Sequence, residues 1–471
     1  MPDLAVVGAG VMGAGIAESA AIAGLSAVMV DVQDAALERG RETIEKDLER
    51  RLKRGRLSEE GRDEVLARIS TATSLEACAD VPLVIEAIVE NLEIKQEVFS
   101  DLEGIVPDDA VLATNTSSLS VARIASATER PERVVGMHFF NPVPAMRLVE
   151  VVAAPATDPS TTHKAIEATE QLGKTPIEVS DTPGFVVNRV ARPFYLEALR
   201  LVEAGGDPEQ VDAAIRGAGF RMGPLQLADL IGMDINLAVS ESLYERSYYQ
   251  PRFRPSPIQR SMVEAGLLGR KTGQGFYKYN SSTSAADDEE ESAPSDTSSI
   301  GLTVVGDPEL AQALGVEPDG EGLRVLALKD EAMLAGTGAE VGARRITPGS
   351  PVVELVGDVD LEIRDQVEAT IRAASLTPAW TPDLPAGAAL RTVAALVNEA
   401  FFALEEGVAS APDIDRAMQL GANYPKGPLA WGGELGLVRI LGALNALRDV
   451  HGDSYLPAPL LRRSVALGEQ P

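Results

Sequence analysis

Short apolar runs alternate with amphipathic segments through the N-terminal third of the chain. Residues 4–8 (LAVVG) form a β-branched run, residues 9–24 carry small residues at helical spacing, and residues 26–31 are apolar again. Further apolar runs follow at 81–90, 110–117 and 133–142, with helical stretches between them. Buried strands that alternate with helices predict an α/β fold with a Rossmann-like, doubly wound parallel sheet.

Residues 34–69 break this pattern because they are highly charged, and Gly55 divides them into a predicted helical hairpin. Arg50, Arg51, Lys53 and Arg54 form a basic cluster near the hairpin tip. A solvated helix face is the ordinary explanation for such a cluster. A phosphate-binding site is the alternative, and the pattern leaves both open.

Beyond residue 182 the apolar residues recur at spacings of three and four, which predicts helices. An acid-rich stretch at 281–299 is typical of a linker, and residues 300–386 indicate a small α/β module whose function the pattern does not reveal. Residues 194–232 and 401–436 resemble each other, so the C-terminus contains a repeat. We therefore expect domains at 1–182, 183–280, 300–386 and 387–471.

The composition excludes several classes of protein. Seventy-one acidic and 42 basic residues give a net charge of −29, which repels nucleic acids and anionic membranes, so we expect neither as a partner. The chain has nine lysines and 33 arginines. This excess of arginine over lysine is compatible with either a salt-tolerant host or a GC-rich genome. The single cysteine, Cys78, excludes an intrachain disulfide, and with only three histidines no metal site is expected.

The N-terminal apolar stretch at 4–30 is long enough to suggest a membrane segment. Asp3 precedes it where a signal peptide needs positive charge, and Glu18 and several glycines interrupt it. We therefore predict no export signal and a cytoplasmic protein.

A G-x-G-x-x-G motif, formed by Gly8, Gly10 and Gly13, lies between the first strand and the following helix. These glycines permit a tight turn, leave room for a pyrophosphate and allow close helix–strand contact. The backbone at Val11 and Met12 begins the helix, where free N–H groups attract phosphate. Asp31 ends the second strand and suits the ribose hydroxyls, so the motif predicts NAD rather than NADP binding.

Polar residues follow several of the predicted strands, where ligands bind in sheets of this kind. They include Glu90, Asn115, Ser117 and His138, and Lys95 lies one turn beyond Glu90, while Glu150 ends a later apolar stretch. A histidine beside a carboxylate suits general-base catalysis, and Ser117 can donate a hydrogen bond to a substrate oxygen. Considered alone, His138 fits a buried structural role equally well.

Five separated motifs resemble those of the L-3-hydroxyacyl-CoA dehydrogenases over residues 3–280: GAGVMGAGIA, EAIVENLEIK, TNTSSL, GMHFFNPVPAMRLVEV and DTPGFVVNRV. The resemblance implies NAD-dependent oxidation of a 3-hydroxyacyl-CoA to the 3-oxoacyl-CoA. It implies that His138 is the catalytic base, Glu150 its partner, and Ser117 and Asn188 substrate-binding residues. The cofactor site then comprises the glycine motif with Asp31, Glu90, Lys95 and Asn115, and the hairpin binds coenzyme A through Arg50, Lys53 and Arg54.

The chain length and the repeated helical domain resemble long bacterial members of this family, which act on 3-hydroxybutyryl-CoA or 3-hydroxyadipyl-CoA. Aligned without gaps from Phe194 and Phe401, Asn188 corresponds to Ala395, so we expect no active site in the second copy. Either a homodimer or an intrachain pairing of the two helical copies is compatible with the sequence. The alternative function is an NAD-binding structural protein of the crystallin type; a multifunctional protein with hydratase activity is disfavoured.

Overall fold

The computed structural model describes residues 2–279, 302–316, 318, 323–335, 337 and 339–469. The linker predicted at 281–299 lies outside the described residues. The chain forms two compact units: unit 1 comprises Met1–Arg189 with Ala403–Ala422, and unit 2 comprises Val190–Phe402 with Asn423–Pro471. These units group the helical segments differently from the predicted domains, whose boundaries stay a prediction.

Unit 1 is built on an eight-stranded sheet with the order β3-β2-β1-β4-β5-β6-β7-β8. Its strands are β1 Leu4–Val7, β2 Ala27–Val30, β3 Ile69–Ala72, β4 Leu83–Glu86, β5 Val111–Thr114, β6 Val134–Phe139, β7 Leu148–Ala153 and β8 Thr175–Ser180. Every neighbouring pair is parallel except β6 and β7, which are antiparallel. The predicted doubly wound sheet is thus confirmed, with one reversal. Residues 140–147 join β6 to β7, and a parallel crossover needs about a dozen residues or more.

The helices carry most of the remaining chain. In order they are α1 Val11–Ile22, α2 Asp34–Lys53, α3 Glu59–Ala67, α4 Leu92–Glu103, α5 Val121–Ala125, α6 Pro159–Gln171, α7 Val187–Val190, α8 Arg192–Glu203, α9 Pro208–Arg216, α10 Pro224–Ile231, α11 Met233–Arg246, α12 Pro257–Glu264, α13 Pro308–Leu314, α14 Leu361–Ala373, α15 Ala389–Glu405, α16 Ala411–Gly421, α17 Pro428–Leu435, α18 Leu437–His451 and α19 Pro459–Leu467. Gly55, with φ +66°, separates α2 from α3, as the hairpin prediction requires. Within the described ranges no helix is long and apolar enough to cross a membrane.

Unit 2 contains a second sheet with the order β13-β12-β11-β10-β9. Its strands are β9 Leu302–Val305, β10 Leu323–Ala327, β11 Val341–Arg344, β12 Val352–Val356 and β13 Thr377–Trp380. The pairs β9–β10, β10–β11 and β12–β13 are parallel, and β11–β12 is antiparallel. The same succession runs from β4 to β8 in unit 1. The small α/β module therefore repeats the second half of the first sheet, and the duplication extends back beyond the helical domain.

Each sheet packs against a helix from the other copy of the duplicated segment: α16 follows the second sheet in the chain but packs on the first, and α9 follows the first sheet but packs on the second. In unit 1, α16 packs on β7 and β8, and in unit 2, α9 packs on β12 and β13. A glycine at the C-terminal end of each helix permits close approach: Gly421 is the last residue of α16, and Gly217 is the C-cap residue of α9. A Cβ atom on Gly421 would lie 2.7 Å from the Leu148 side chain, and one on Gly217 would lie 2.8 Å from the Val352 side chain. The two copies are thus interleaved through equivalent contacts.

The helical copies also pack directly on each other inside unit 2. The Phe194 ring lies 5.7 Å from that of Tyr424, and the Phe220 ring lies 5.3 Å from that of Trp431, measured between ring centroids. Aromatic pairs at this separation bury large apolar areas. The intrachain pairing of helical copies, one of the two arrangements expected from the sequence, is present in this unit.

Candidate active site

The glycine motif forms a tight turn between β1 and α1. A Cβ atom on Gly8 would lie 2.6 Å from the Ala87 carbonyl oxygen, and one on Gly13 would lie 1.9 Å from the Gly8 carbonyl oxygen. A Cβ atom on Gly10 would have no neighbouring atom within 4 Å. The first and third glycines therefore permit close packing, and the second leaves open space. Gly10 is the N-cap residue of α1 and has no side chain that could cap the helix. This cradle fits a dinucleotide pyrophosphate, whose charge the helix N-terminus stabilises.

Asp31 follows β2 beside this turn. Its Oδ2 accepts a hydrogen bond from the Ala9 N–H at 3.0 Å, and its Oδ1 accepts one from the Gln33 N–H at 3.0 Å. The two bonds hold the carboxylate next to the glycine turn. This is the place expected for an acid that binds the cofactor ribose.

His138 and Glu150 form a buried pair across the antiparallel strands β6 and β7. They are directly opposite in the strand register. The distance between His138 Nδ1 and Glu150 Oε2 is 2.6 Å, and the two residues are 6% and 0% exposed. A carboxylate at Nδ1 fixes the tautomer in which Nδ1 carries the hydrogen, leaving Nε2 to accept a proton.

Glu150 also fixes the segment that carries Asn188. Its Oε1 accepts hydrogen bonds from the backbone N–H groups of Val186 and Val187, at 3.0 and 2.9 Å. Asn188 follows immediately in α7 and is half-buried. One carboxylate thus orients the histidine and the start of the helix that bears the predicted substrate-binding asparagine.

Two aromatic rings flank the histidine. The Phe140 and Phe185 ring centroids lie 4.6 and 5.7 Å from that of His138. Phe185 adopts φ +49°, a left-handed conformation that is rare outside glycine. The rings shield the His–Glu pair from water, which strengthens its electrostatic interaction.

Ser117 lies in the loop after β5, which Glu90 organises. Glu90 Oε1 accepts hydrogen bonds from the backbone N–H groups of Ser117 and Ser118, both at 3.0 Å, and from the Thr116 hydroxyl at 2.7 Å. Burial alone would raise the pKa of Glu90, but Lys95 and these hydrogen bonds hold it below its usual value. Glu90 therefore stays ionised and fixes the loop that presents Ser117.

Lys95 is 1% exposed and does not face solvent. Its Nζ lies 2.6 Å from Glu86 Oε1 and 3.4 Å from Glu90 Oε2. Lys95 was predicted to bind the cofactor, and that role stays a prediction. Because both carboxylates engage its ammonium group, we expect its influence to pass through Glu90.

Asn115 joins the loop to the strand that bears the histidine. Its Oδ1 accepts a hydrogen bond from the Phe139 N–H at 2.8 Å. Because Phe139 follows His138 directly, this bond brings the loop after β5 beside the His–Glu pair. Asn115, Ser117, His138, Glu150 and Asn188 all belong to unit 1.

The predicted coenzyme A residues lie at the end of α2, where Arg50, Lys53 and Arg54 are exposed. Arg50 Nη2 forms an ion pair with Asp47 Oδ1 at 3.0 Å. Lys53 and Arg54 form no ion pair with any described residue. The two unpaired cations suit phosphate binding, whereas Arg50 is already partly neutralised.

The second sheet contains a counterpart of the His–Glu pair. Arg344 lies opposite Glu354 in the β11–β12 register. Glu354 accepts hydrogen bonds from the Ala388 and Ala389 N–H groups, at 2.5 and 2.9 Å, as Glu150 does in the first copy. Leu390 therefore corresponds to Asn188. The gapless alignment that paired Asn188 with Ala395 was wrong because its anchor was out of register: Phe194 and Phe401 are 207 residues apart, whereas the ends of the two helices, Glu203 and Glu405, are 202 apart. Neither Leu390 nor Ala395 is an asparagine.

The sequence pattern did not single out Glu86, which ends β4. Its Oε1 accepts a hydrogen bond from the Ile88 N–H at 2.7 Å, and its Oε2 accepts one from the Thr114 hydroxyl at 2.7 Å. With Lys95 it links the ends of β4 and β5. The available signal was a carboxylate inside an apolar run, since such a buried charge needs a partner.

A Rossmann-type dinucleotide turn and a buried His–Glu pair in the same unit indicate the class of nicotinamide-dependent dehydrogenases. The NAD-binding domain model of 3-hydroxyacyl-CoA dehydrogenase matches residues 3–182, and the C-terminal domain model of the same family matches 184–279 and 388–471. The chain belongs to the 3-hydroxyacyl-CoA dehydrogenase family and contains its NAD-binding domain. The resemblance expected from the five motifs is confirmed.

Named relatives share this family. The chain is 41% identical to the 3-hydroxyadipyl-CoA dehydrogenase of Escherichia coli, over 98% of this chain and 97% of that protein. It is 46% identical to a probable 3-hydroxybutyryl-CoA dehydrogenase of Deinococcus radiodurans, over 58% of this chain and 99% of that protein. The crystal structure of 3-hydroxybutyryl-CoA dehydrogenase from E. coli matches with a TM-score of 0.83 and 38% identity, over 99% and 98% of the two chains.

Proposed function

We propose that this chain oxidises the 3-hydroxyl group of a 3-hydroxyacyl-CoA to a ketone, with NAD as the oxidant. The observation that carries the proposal is the 2.6 Å contact between His138 Nδ1 and Glu150 Oε2. This contact orients the histidine so that it can act as a base. The turn that fits a dinucleotide lies in the same unit. When bound, NAD supplies the hydride acceptor.

In the proposed mechanism His138 Nε2 removes the proton of the 3-hydroxyl group while the hydrogen on the same carbon leaves as hydride. The oxygen electron pair then forms the carbonyl bond, and the products are the 3-oxoacyl-CoA, NADH and a protonated imidazole. Glu150 stabilises the imidazolium through Nδ1–H. Its two backbone N–H donors hold the carboxylate in the orientation that this role needs.

We propose that the remaining site residues position the substrate. The Ser117 hydroxyl and the Asn188 amide hold its oxygens. Glu90, which forms an ion pair with Lys95, fixes the loop that contains Ser117. Asn115 connects that loop to the strand that bears His138 through its hydrogen bond with the Phe139 N–H. Lys53 and Arg54, the exposed unpaired cations of the hairpin, bind coenzyme A phosphates, with Arg50 in support.

The direct test is steady-state NADH formation with a panel of 3-hydroxyacyl-CoA substrates that includes the butyryl and adipyl forms. We expect NAD-dependent turnover with at least one of them. An NAD-binding structural protein would bind the cofactor and form no NADH with any substrate. That result would reject the enzymatic proposal and favour the structural alternative.

A further inference from the structure

A short segment of the second copy belongs to unit 1, the unit that contains the proposed active site. This segment, Ala403–Ala422, follows the second sheet in the chain. It comprises the end of α15, the turn at Gly407 and the helix α16. The rest of the second helical copy belongs to unit 2. The segment is therefore the part of the second copy that shares a unit with His138 and Asn188.

Arg189, the residue that follows Asn188, forms an ion pair with Glu406 of this segment. Arg189 Nη1 lies 2.8 Å from Glu406 Oε2, and the two side chains are 4% and 47% exposed. A buried guanidinium is costly unless a carboxylate accompanies it. The ion pair therefore favours the position of α7 in which Arg189 meets the second copy.

Val187, the residue that precedes Asn188, packs against the same segment. A Cβ atom on Gly421 would lie 2.9 Å from Val187 Cγ2, so the glycine permits α16 to approach α7 closely. On its other side, the Val187 N–H donates to Glu150 Oε1 at 2.9 Å. Asn188 thus lies between two residues that both contact the second copy.

The strand that leads into α7 is bound to the segment as well. Ser180, the last residue of β8, donates from its N–H to the Val408 carbonyl oxygen at 2.8 Å. Its hydroxyl donates to the Gly407 carbonyl oxygen at 2.9 Å. Only residues 181–186 separate β8 from α7, and among them Phe185 has φ +49°. Surrounding contacts must hold a backbone in such a conformation.

The two copies exchange glutamates in both directions. Arg391 follows Leu390, the counterpart of Asn188, and forms an ion pair with Glu197 of the first copy. In each copy, the arginine after this position is therefore paired with a glutamate from the other copy. Only the first copy has an asparagine before that arginine, so only there can the contact position a substrate-binding amide.

We propose that Glu406 is a positioning residue for the oxidation: through Arg189 it holds the helix that carries Asn188. The second copy then sets the efficiency of an active site to which it contributes no catalytic group. The inference rests on the proposed dehydrogenase function and deepens it. A hydrogen bond from an amide to a substrate oxygen depends on distance and angle, and small misplacements in an active site cost much of the rate. Glu406 takes no part in proton or hydride transfer.

The test measures kcat/KM for a 3-hydroxyacyl-CoA in the wild type, Glu406→Gln and Glu406→Asp. We expect glutamine to lower kcat/KM about tenfold at unchanged NAD affinity, because Asn188 is less well placed. Aspartate, which keeps the charge, should restore part of the loss. Glu178→Gln removes an exposed carboxylate from β8 and is the matched control, which should leave kcat/KM unchanged. An unchanged value in Glu406→Gln overturns the proposal.

A double-mutant cycle separates the positioning of Asn188 from a general loss of stability. Asn188→Ala removes the amide that Glu406 is proposed to position. Adding Glu406→Gln to that variant should therefore lower kcat/KM no further, since coupled residues are not additive. If the two losses multiply, Glu406 acts independently of Asn188 and the proposal is wrong.

Hydrogen exchange tests the same contact without any substrate. We expect the backbone amides of residues 184–190 to exchange faster in Glu406→Gln than in the wild type or Glu178→Gln. Identical exchange in all three proteins overturns the proposal. Failure of the dehydrogenase function is distinct, because the wild type itself would then form no NADH with any substrate.

Discussion

Arg344 occupies in the second sheet the register position that His138 occupies in the first, opposite a buried glutamate in both cases. The guanidinium donates to the backbone carbonyl oxygens of Leu384 and Ala332 at 3.1 and 3.0 Å. An arginine cannot give up its proton at physiological pH, so it cannot act as a base. The second copy therefore keeps the glutamate that fixes the helix start and lacks the histidine that the proposed mechanism uses as its base.

Replacing His138 by glutamine should lower kcat by about 10²–10⁴-fold, because the general base is removed. NAD affinity should stay nearly constant, since the glycine turn and Asp31 are untouched. Steady-state kinetics with a fluorescence titration of the cofactor measures both quantities.

Arg344→Gln is the control for this substitution. It changes the equivalent position of the second copy, so it should leave kcat unchanged and lower the melting temperature. Near-normal turnover in His138→Gln would show that another group removes the proton.

Asp31 should give the wild type a strong preference for NAD over NADP. Its carboxylate is held beside the glycine turn by the Ala9 and Gln33 N–H groups, where it repels a 2′-phosphate. Asp31→Ser removes that repulsion and should raise the NADP-to-NAD ratio of kcat/KM at least about tenfold. Equal efficiency of the wild type with both cofactors would mean that Asp31 does not reach the ribose.

The sequence predicted the first sheet because its signals are local. β1, the glycine motif and α1 follow one another within residues 4–22, and each glycine has a steric role that neighbouring backbone atoms impose. The proximity of His138 and Glu150 was expected only through family resemblance, and the antiparallel β6–β7 register supplies its physical cause.

The sequence did not reveal that the second sheet repeats the second half of the first sheet. The two share their strand order and directions, but the side chains at equivalent positions differ. Arg344 replaces His138, Leu390 replaces Asn188, and only the glutamate with its two backbone donors is retained.

Glu18 in α1 should make stability depend on pH. Burial, with a hydrogen bond to Asp47, raises its pKa to about 8, although Arg51 Nε lies 3.6 Å from its Oε1 and acts in the opposite direction. A carboxyl group whose pKa is raised on folding stabilises the protein below its unfolded pKa, near 4.5. That contribution is lost as the pH rises through about 8.

Glu18→Gln should remove this dependence. Between pH 5 and pH 8.5 the wild type should lose free energy of unfolding relative to the variant, by at most about 5 kcal/mol. Urea unfolding at several pH values measures the difference. Parallel pH profiles of the two proteins would show that Glu18 titrates normally in the folded state.

Deleting residues 300–471 should expose apolar surface that the second copy covers. In unit 1 it removes α16 from β7 and β8, where Gly421 approaches the Leu148 side chain. In unit 2 it removes the Tyr424 and Trp431 rings from Phe194 and Phe220. Contiguous apolar patches of this kind drive association.

The truncated protein keeps Ser117, His138, Glu150 and Asn188. The truncation therefore tests how the second copy packs on the first and leaves the proposed catalytic residues in place. We expect it to dimerise more strongly than the intact chain, or to aggregate, and to unfold at lower temperature. Light scattering after size exclusion, with the intact chain at equal concentration as the control, measures the association. If the truncated protein has the same oligomeric state and melting temperature as the intact chain, the second copy does not stabilise the first, and the interleaved helices α9 and α16 contribute little to the fold.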